Sequence, residues 1–268
     1  HDSTGANLIV QVKANQVMRV VPLENEAVNE CWIADRDRFS YESLNSDERL
    51  TQPMIKQGGQ WKKVDWQAAL EFAATGLRGI AKDYGAAGIG ALASPHSTVE
   101  ELFLLQKLVR GLGSENVDFR LRQADFRADG KRAGVPWLGM PIAGVKDLTR
   151  LLVVGSFLRK DAPLLAQRVR QATKKGLHVS AIGPNAEEWL LPVRNRALVA
   201  PSAMVAMMAQ VVAALAQEKA ADVSVALVGK LPGTISDEAR AIARSLASGQ
   251  RVAVWLGNLA AQHAHASE

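Results

Sequence analysis

The chain has 268 residues, 48% of them hydrophobic and 22% charged, enough for one large core or two modest ones and no composition of a disordered protein. Its 32 basic and 27 acidic side chains leave a formal charge of +5; spread along the whole chain, it favours acidic partners only weakly. The single Cys31 excludes an intramolecular disulfide and suits a reducing compartment such as the bacterial cytoplasm.

From Asn7 to Val21 apolar and polar residues alternate on both sides of Lys13-Ala14-Asn15-Gln16, the pattern of a β-hairpin with a short polar turn. Residues 1–55 are read as a small β-rich unit, with the rings of Trp32 and Phe39 expected in its interior. After Gly58-Gly59, the three- and four-residue spacing of Trp66, Ala69, Leu70, Ala73, Leu77 and Ile80 predicts an amphipathic helix within Trp61 to Asp83, N-capped by Asp65. Strand-like and helical runs then alternate. A strand at Ile89 to Ala93, a helix from Thr98 to Leu112 and a strand at Asn116 to Phe119 complete a first α/β unit, 56–133. The Gly/Pro-rich connector Gly134 to Gly144 leads into a second, Rossmann-like unit, 134–268, read as incomplete at its C-terminus. Here strands are expected at Leu151 to Gly155, Leu177 to Ile182 and Val252 to Leu256, and helices at Pro163 to Lys175 and Ala203 to Glu218. Strands separated by helix-length segments imply a doubly wound α/β architecture with parallel sheet; no fixed-period repeat is present.

The apolar stretches Ala203 to Ala216 and Val223 to Val228 fall short of the ~20 residues that span a bilayer, so no direct membrane insertion is expected. The chain begins at His1-Asp2 without Met and closes at His265-Ala266-Ser267-Glu268, the look of a segment of something longer. The densest basic run, Phe119 to Arg132, reads as a solvated or subunit-facing surface, and no nucleic-acid partner is expected.

Several constellations bear chemistry. Strands ending in Gly155-Ser156 and Gly183-Pro184 let backbone approach a pyrophosphate, with a helix start behind to meet anions; neither turn spells GxGxxG, and both glycines read more readily as turn residues. His96, where a strand gives way to a helix capped by Ser97 or Thr98, is the best lone candidate among the histidines, with a capping and loop-packing role preferred. His263 and His265 form a terminal HxH better suited to a fortuitous metal grip than to catalysis. Asp125 and Asp129 lie in a basic loop, where aspartates usually partner arginines. No nucleophile–base order and no P-loop is present.

Two runs carry a family resemblance: Asn29-Glu30-Cys31-Trp32 with Asp35-Arg36-Asp37-Arg38-Phe39-Ser40-Tyr41-Glu42, and Arg49-Leu50-Thr51-Gln52-Pro53-Met54-Ile55. With Ser97 to Leu102, Leu104 to Leu108, Arg120 to Gln123 and Leu151 to Pro163, they resemble the large (G-type) iron–sulfur subunit of bacterial respiratory complex I, the proton-pumping NADH:quinone oxidoreductase, in its C-terminal molybdopterin-oxidoreductase-like region. The resemblance implies that the [2Fe–2S] and [4Fe–4S] centres belong to an N-terminal region absent here. It also implies that partners are the other peripheral-arm subunits, including the flavin subunit and cluster-bearing subunits, and that the complex sits on the cytoplasmic face of the plasma membrane. Family members that keep a further cluster in the small β unit hold it on four cysteines; Asp2 and Ala6 fall at the second and third of these positions and Ala34 at the fourth. Cys31 is then read as packing beside Trp32. Gly155, Ser156 and Gly183 fall in the loops that hold a guanine-dinucleotide half of the pterin cofactor in catalytic relatives, and Arg120 to Gly130 falls at the metal position. The expectation is a cofactor-free structural segment with no catalytic or metal-binding residues. The alternative is a fragment of a catalytic molybdopterin enzyme resembling formate dehydrogenase.

Overall fold

The computed structural model describes residues 2–131, 133–135, 137–219 and 232–268; the apolar run Val223 to Val228 lies outside them. The chain forms two compact units, His1–Tyr41 with Gln123–Glu268, and Glu42–Arg122. These limits differ from the sequence segments 1–55, 56–133 and 134–268, because compactness follows which segments pack together rather than where composition changes.

The first unit opens with antiparallel strands β1 (Leu8–Lys13) and β2 (Gln16–Pro22). Ala14 and Asn15 join them, both at positive φ, the geometry of a turn whose twist matches that of the paired strands. The loop that follows is organised by the buried Asn29 side chain, which accepts from Asn7 N–H at 3.0 Å and donates to the carbonyls of Leu23 and Trp32 at 3.0 and 3.1 Å. A short helix, α1 (Asp35–Phe39), comes next, and Tyr41 Oη donates to the Met18 carbonyl at 3.0 Å. Trp32 and Phe39 are 50% and 54% exposed, and Cys31 is exposed as well. That corrects the expectation of buried rings and a packed thiol: the buried apolar side chains here are Val20, Ile33 and Ala34, too few to enclose two large aromatic groups.

The second unit carries the hairpin β3 (Met54–Gln57) and β4 (Gln60–Lys63), turning through Gly58 and Gly59. Then follows α2 (Trp66–Tyr84), where Asp65 accepts from Ala68 N–H at 2.7 Å as the expected N-cap. Strand β5 (Ala91–Leu92), helix α3 (Val99–Gly111) and strand β6 (Val117–Asp118) complete it, β5 and β6 pairing in parallel. Thr98 and Glu101 close a reciprocal capping box on α3. Both strands are shorter than the sequence suggests; at the start of β5 the Ile89 carbonyl accepts from the buried Ser114 hydroxyl at 2.6 Å.

The rest of the chain builds a parallel sheet in the first unit. Strand β7 (Arg150–Val154) leads through a short helix, α4 (Leu158–Asp161), into α5 (Pro163–Thr173) and β8 (His178–Gly183). Strand β9 (Val193–Leu198), helices α6 (Met204–Lys219) and α7 (Asp237–Ala247), strand β10 (Val252–Leu256) and the short α8 (Asn258–Ala261) follow. Strand order is β10-β7-β8-β9, all parallel. Leu151 and Val153 face one core with Val169, Val179 and Trp255; Leu152 and Val154 face another with Ile182, Val211 and Ile242. Four consecutive buried residues mark β7 as a strand covered on both sides, as parallel sheets require. β9 and α7 were not read from the sequence: β9 has Arg194, Asn195 and Arg196 in succession between Val193 and Ala197, and α7 is rich in Arg and Ala.

Leu152 is 1% exposed, so Leu152→Ala is expected to cost ~2–5 kcal/mol in urea unfolding. Trp32→Ala, at a half-exposed ring, is expected to cost about 1 kcal/mol or less in the same assay; equal losses would contradict this assignment of the core.

Candidate functional site

In an open parallel sheet, ligands gather at the carboxyl ends of the strands where the chain reverses its direction of travel. Here that point lies between β7 and β10, since β8 and β9 extend from β7 on the other side. Gly155 and Gly183 end adjacent strands, and Gly155 N–H donates to the Ile182 carbonyl at 2.9 Å. The structure thus brings the two sequence-read glycines to neighbouring strand ends, together with Gly257, which follows β10 and was not read from the sequence. A Cβ at Gly257 would stand 2.2 Å from the Ser156 Cβ and 2.7 Å from the Gly155 carbonyl oxygen. Only the tertiary pairing of two distant turns reveals that constraint.

Gly155 has φ +62°, and a Cβ there would stand 2.6 Å from Ala260 N and 2.8 Å from the Met204 methyl. The turn is closed by backbone bonds, Gly257 N–H to Val154 O at 2.8 Å and Leu259 N–H to Gly155 O at 2.9 Å. Its polar groups turn inward: the Asp161 carboxylate accepts from the Ser156 hydroxyl at 2.6 Å and from Phe157 N–H at 3.0 Å. A carboxylate of the chain itself therefore stands on donors that a phosphate would use, and the residues at this turn do not fit a bound pyrophosphate. Gly183 differs, with open space on its side-chain face; its carbonyl accepts from Val199 N–H at 3.1 Å.

Asp125 is buried and fully engaged. Oδ1 accepts from Arg127 N and Nε at 3.1 and 2.9 Å, and Oδ2 from Arg127 Nη2 and Ser267 N, both at 2.9 Å. Arg127 also holds Glu268 at 3.1 Å. The guanidinium fork, then the Ser267 amide, hold the Asp125 carboxyl well below the ordinary carboxylate value of 3.8, while the carboxylates raise Arg127. Asp125 is a tail anchor, and Asp129 is exposed on the same loop. His263 Nδ1 accepts from His265 N at 3.0 Å, which puts its proton on Nε2, 3.0 Å from the Pro201 carbonyl; both ring nitrogens are used locally. His96 belongs to the other unit, exposed, with its backbone N–H on Ser94 Oγ. Thr98, not Ser97, is the cap of that helix. No cluster of three or more His, Cys, Asp or Glu able to hold a metal occurs among the described residues.

Near the start of the chain, Thr4 donates through its backbone N–H at 3.3 Å and through its hydroxyl to Asp2 Oδ2, and Asp2 N–H donates to Asp37 Oδ1 at 3.3 Å. Asp2, Thr4 and Asp37 are all buried. Ala34 is buried and Ala6 half-buried, while Cys31, the one thiol of the chain, is exposed. Iron–sulfur clusters are held by thiolates, and this oxygen-rich donor set does not fit a four-cysteine cluster.

Comparison with known proteins places these features. Residues 49–268 match the sequence model of molybdopterin oxidoreductase. The chain belongs to that family. Residues 1–42 match the NADH-ubiquinone oxidoreductase NDSU1/NuoG-like 4Fe-4S domain. The chain is 35% identical over 184 residues to the G-type subunit of NADH-quinone oxidoreductase from Rickettsia felis, covering 68% of this chain and 26% of that protein. It is 32% identical over 202 residues to the NADH-ubiquinone oxidoreductase 75 kDa subunit of Reclinomonas americana, covering 68% and 28%. A putative formate dehydrogenase of Staphylococcus haemolyticus is 30% identical over 174 residues, 63% of this chain and 18% of that protein. The chain thus spans about a quarter of the length of the G-type relatives. Acetylene hydratase from Pelobacter acetylenicus shares the fold, with TM-score 0.69 and 15% identity over 96% of this chain and 40% of its own. The α/β class and the molybdopterin-oxidoreductase-like, G-type assignment both stand on these findings.

Two outcomes are expected from the geometry. Gly155→Ala combines a left-handed backbone with a clash against backbone, and should lower stability by about 2 kcal/mol or more in chemical denaturation. For Asp125 the sign follows from a depressed folded-state value: its stabilisation is present above 3.8 and is lost as pH falls through the lower folded value. Arg127→Ala should therefore move the acid-unfolding midpoint, followed by circular dichroism, to higher pH; an unchanged midpoint would contradict it.

Proposed function

We propose that this chain is a structural, cofactor-free segment of a peripheral-arm subunit of proton-pumping NADH:quinone oxidoreductase. Electrons pass from NADH to quinone through centres carried elsewhere in the complex. The observation that carries the reading is the chemistry of the donor sets. At the switch-point turn Asp161 satisfies the Ser156 and Phe157 donors, at the loop aligned with the metal position Asp125 is neutralised by Arg127, and in the small β unit the one thiol faces outward. A pterin dinucleotide needs open anion-binding turns, and a molybdenum or tungsten ion needs a free ligand; the first two arrangements provide neither. In this reading Gly155, Ser156 and Gly183 are inherited turn positions, and the segments 1–55, 56–133 and 134–268 are inherited modules.

The partners in this reading are the other peripheral-arm subunits, the flavin subunit and cluster-bearing subunits among them. The complex holds the chain on the cytoplasmic face of the bacterial plasma membrane. No helix among the described residues is long and apolar enough to cross a membrane, which fits attachment through other subunits.

The likeness to the putative formate dehydrogenase favours one other reading, a fragment of a catalytic molybdopterin enzyme. Elemental analysis of the anaerobically purified chain separates them: the scaffold reading expects iron, molybdenum and tungsten all below stoichiometric levels, and stoichiometric molybdenum or tungsten would reverse the choice. Cys31→Ser should leave NADH oxidation by the assembled complex nearly unchanged; a large loss would return Cys31 to a cofactor role.

A further inference from the structure

The excess of positive charge is spread along the sequence, but the fold gathers part of it. Because β7, β8, β9 and β10 are all parallel, their amino ends share one rim, at the opposite end of the sheet from the turns at Gly155, Gly183 and Gly257. Arg150 opens β7 and His178 opens β8, and the two are register partners. Arg251 stands just before β10. β9 contributes Arg194, which has no counterpart on β8: the register passes from Val193 opposite Val179 to Asn195 opposite Ser180. The extra residue of such a bulge has its side chain re-aimed, and the charge of Arg194 acts on His178. Lys174 and Lys175, both exposed, lie in the turn that feeds β8.

This cluster has little counter-charge of its own. Arg150 is fixed by neutral acceptors, Nε on the Ser245 carbonyl and on Ser248 Oγ, both at 3.0 Å, and Nη1 on the Thr149 carbonyl at 2.7 Å. Among the described residues no carboxylate pairs with Arg150, Arg194, Lys174 or Lys175, and Asp147 serves Arg251, at 3.6 Å. Burial first, and then the charges of Arg150 and Arg194, hold the His178 ring below its ordinary value. α5 ends at Thr173, and the negative end of its dipole explains the two lysines beside it. It does not explain Arg194, a strand residue.

Chemistry and shape select the occupant. Guanidinium forks pair with carboxylates, and Asp147 already puts one on Arg251 at this rim. From β10 to β9 the row covers three strand spacings, roughly 15 Å, more than a single small anion bridges and a length that a few acidic residues of a chain match. Arg150 and His178 are half-buried, within reach of protruding side chains and set back from a flat bilayer surface.

We infer that this rim is a docking face for a carboxylate-rich segment of another protein, whose Asp or Glu side chains pair with Arg150 and Arg194 on either side of His178 and with Lys174 and Lys175 beside them. The inference rests on the proposed function only for the source of that segment, a neighbouring peripheral-arm subunit.

The test is titration of the isolated full-length subunit with a hexaglutamate peptide, followed through the His178 ring by NMR, with hexaglutamine, inorganic phosphate and phosphatidylglycerol vesicles as comparisons. The expected result is binding of hexaglutamate that weakens as salt rises and moves the His178 titration to higher pH. Affinity should fall at least ~10-fold in the K174Q/K175Q/R194Q variant, whose changes lie at exposed positions and leave the melting temperature unchanged. No binding of hexaglutamate, or binding that the variant retains, would overturn the inference. So would an equal response to phosphate, which would make this a small-anion site, or a preference for the vesicles, which would make it a membrane surface. In the assembled complex, carbodiimide should join Lys174 or Lys175 to an Asp or Glu of another subunit, and links confined to this chain would also overturn it. A full-length subunit that joins no complex would instead reverse the proposed function, and hexaglutamate binding would still decide the rim.

Discussion

Burial of β7 on both faces is the constraint on which the first unit depends. Its four residues Leu151 to Val154 are each at most 2% exposed, and its two edges are paired with β8 and β10. A strand so enclosed must leave the sheet abruptly, and Gly155, in the left-handed region, provides the turn without a side chain to obstruct Ala260. The same glycine lets the turns after β7 and β10 bond to each other. Position, backbone conformation and closure of the switch point thus depend on the same residue.

The N-terminal 41 residues belong to the same unit through a different interaction. Arg168, on α5, is only 7% exposed; its guanidinium meets Glu30 at 3.2 Å and donates to the carbonyls of Glu26 and Val28 at 2.7 and 3.1 Å. Burying such a charge is tolerable only when it is paired and its donors are used, and both conditions are met. Glu30 itself sits at positive φ, so the loop bends to bring its carboxylate and two carbonyls to one cation. The 42–122 unit is therefore an insertion between two stretches that pack with one another.

A common pattern links the polar groups of the first unit. Where the family resemblance places a phosphate-binding turn, a metal position and cluster ligands, the chain presents Asp161 on its own donors, Asp125 on Arg127 and Asp2 with Thr4. At Asp161 and Asp125 such internal partners rigidify the backbone, because the donors and acceptors are used without water or ligand; the buried Asp2 Oδ1 has no partner among the described residues.

Much of the architecture was legible in the sequence because it depends on short-range patterns. The hairpin turn at Ala14-Asn15, the Asp65 cap, the long helices and the apolar strands Arg150–Val154 and Val252–Leu256 each follow from residues within a few positions of one another. β9 escaped because its arginines broke the apolar run that signals a buried strand. Trp32 and Phe39 were misjudged because an aromatic residue carries no information about which surface lies beside it. The sequence by itself determined the α/β class, the family motifs and the single thiol. Only the tertiary structure decided that Gly257 is sterically bound to Ser156 and that Asp125 anchors the tail at Ser267. Each of these depends on groups brought together from distant parts of the chain, and contact across that separation is written in packing and not in local periodicity.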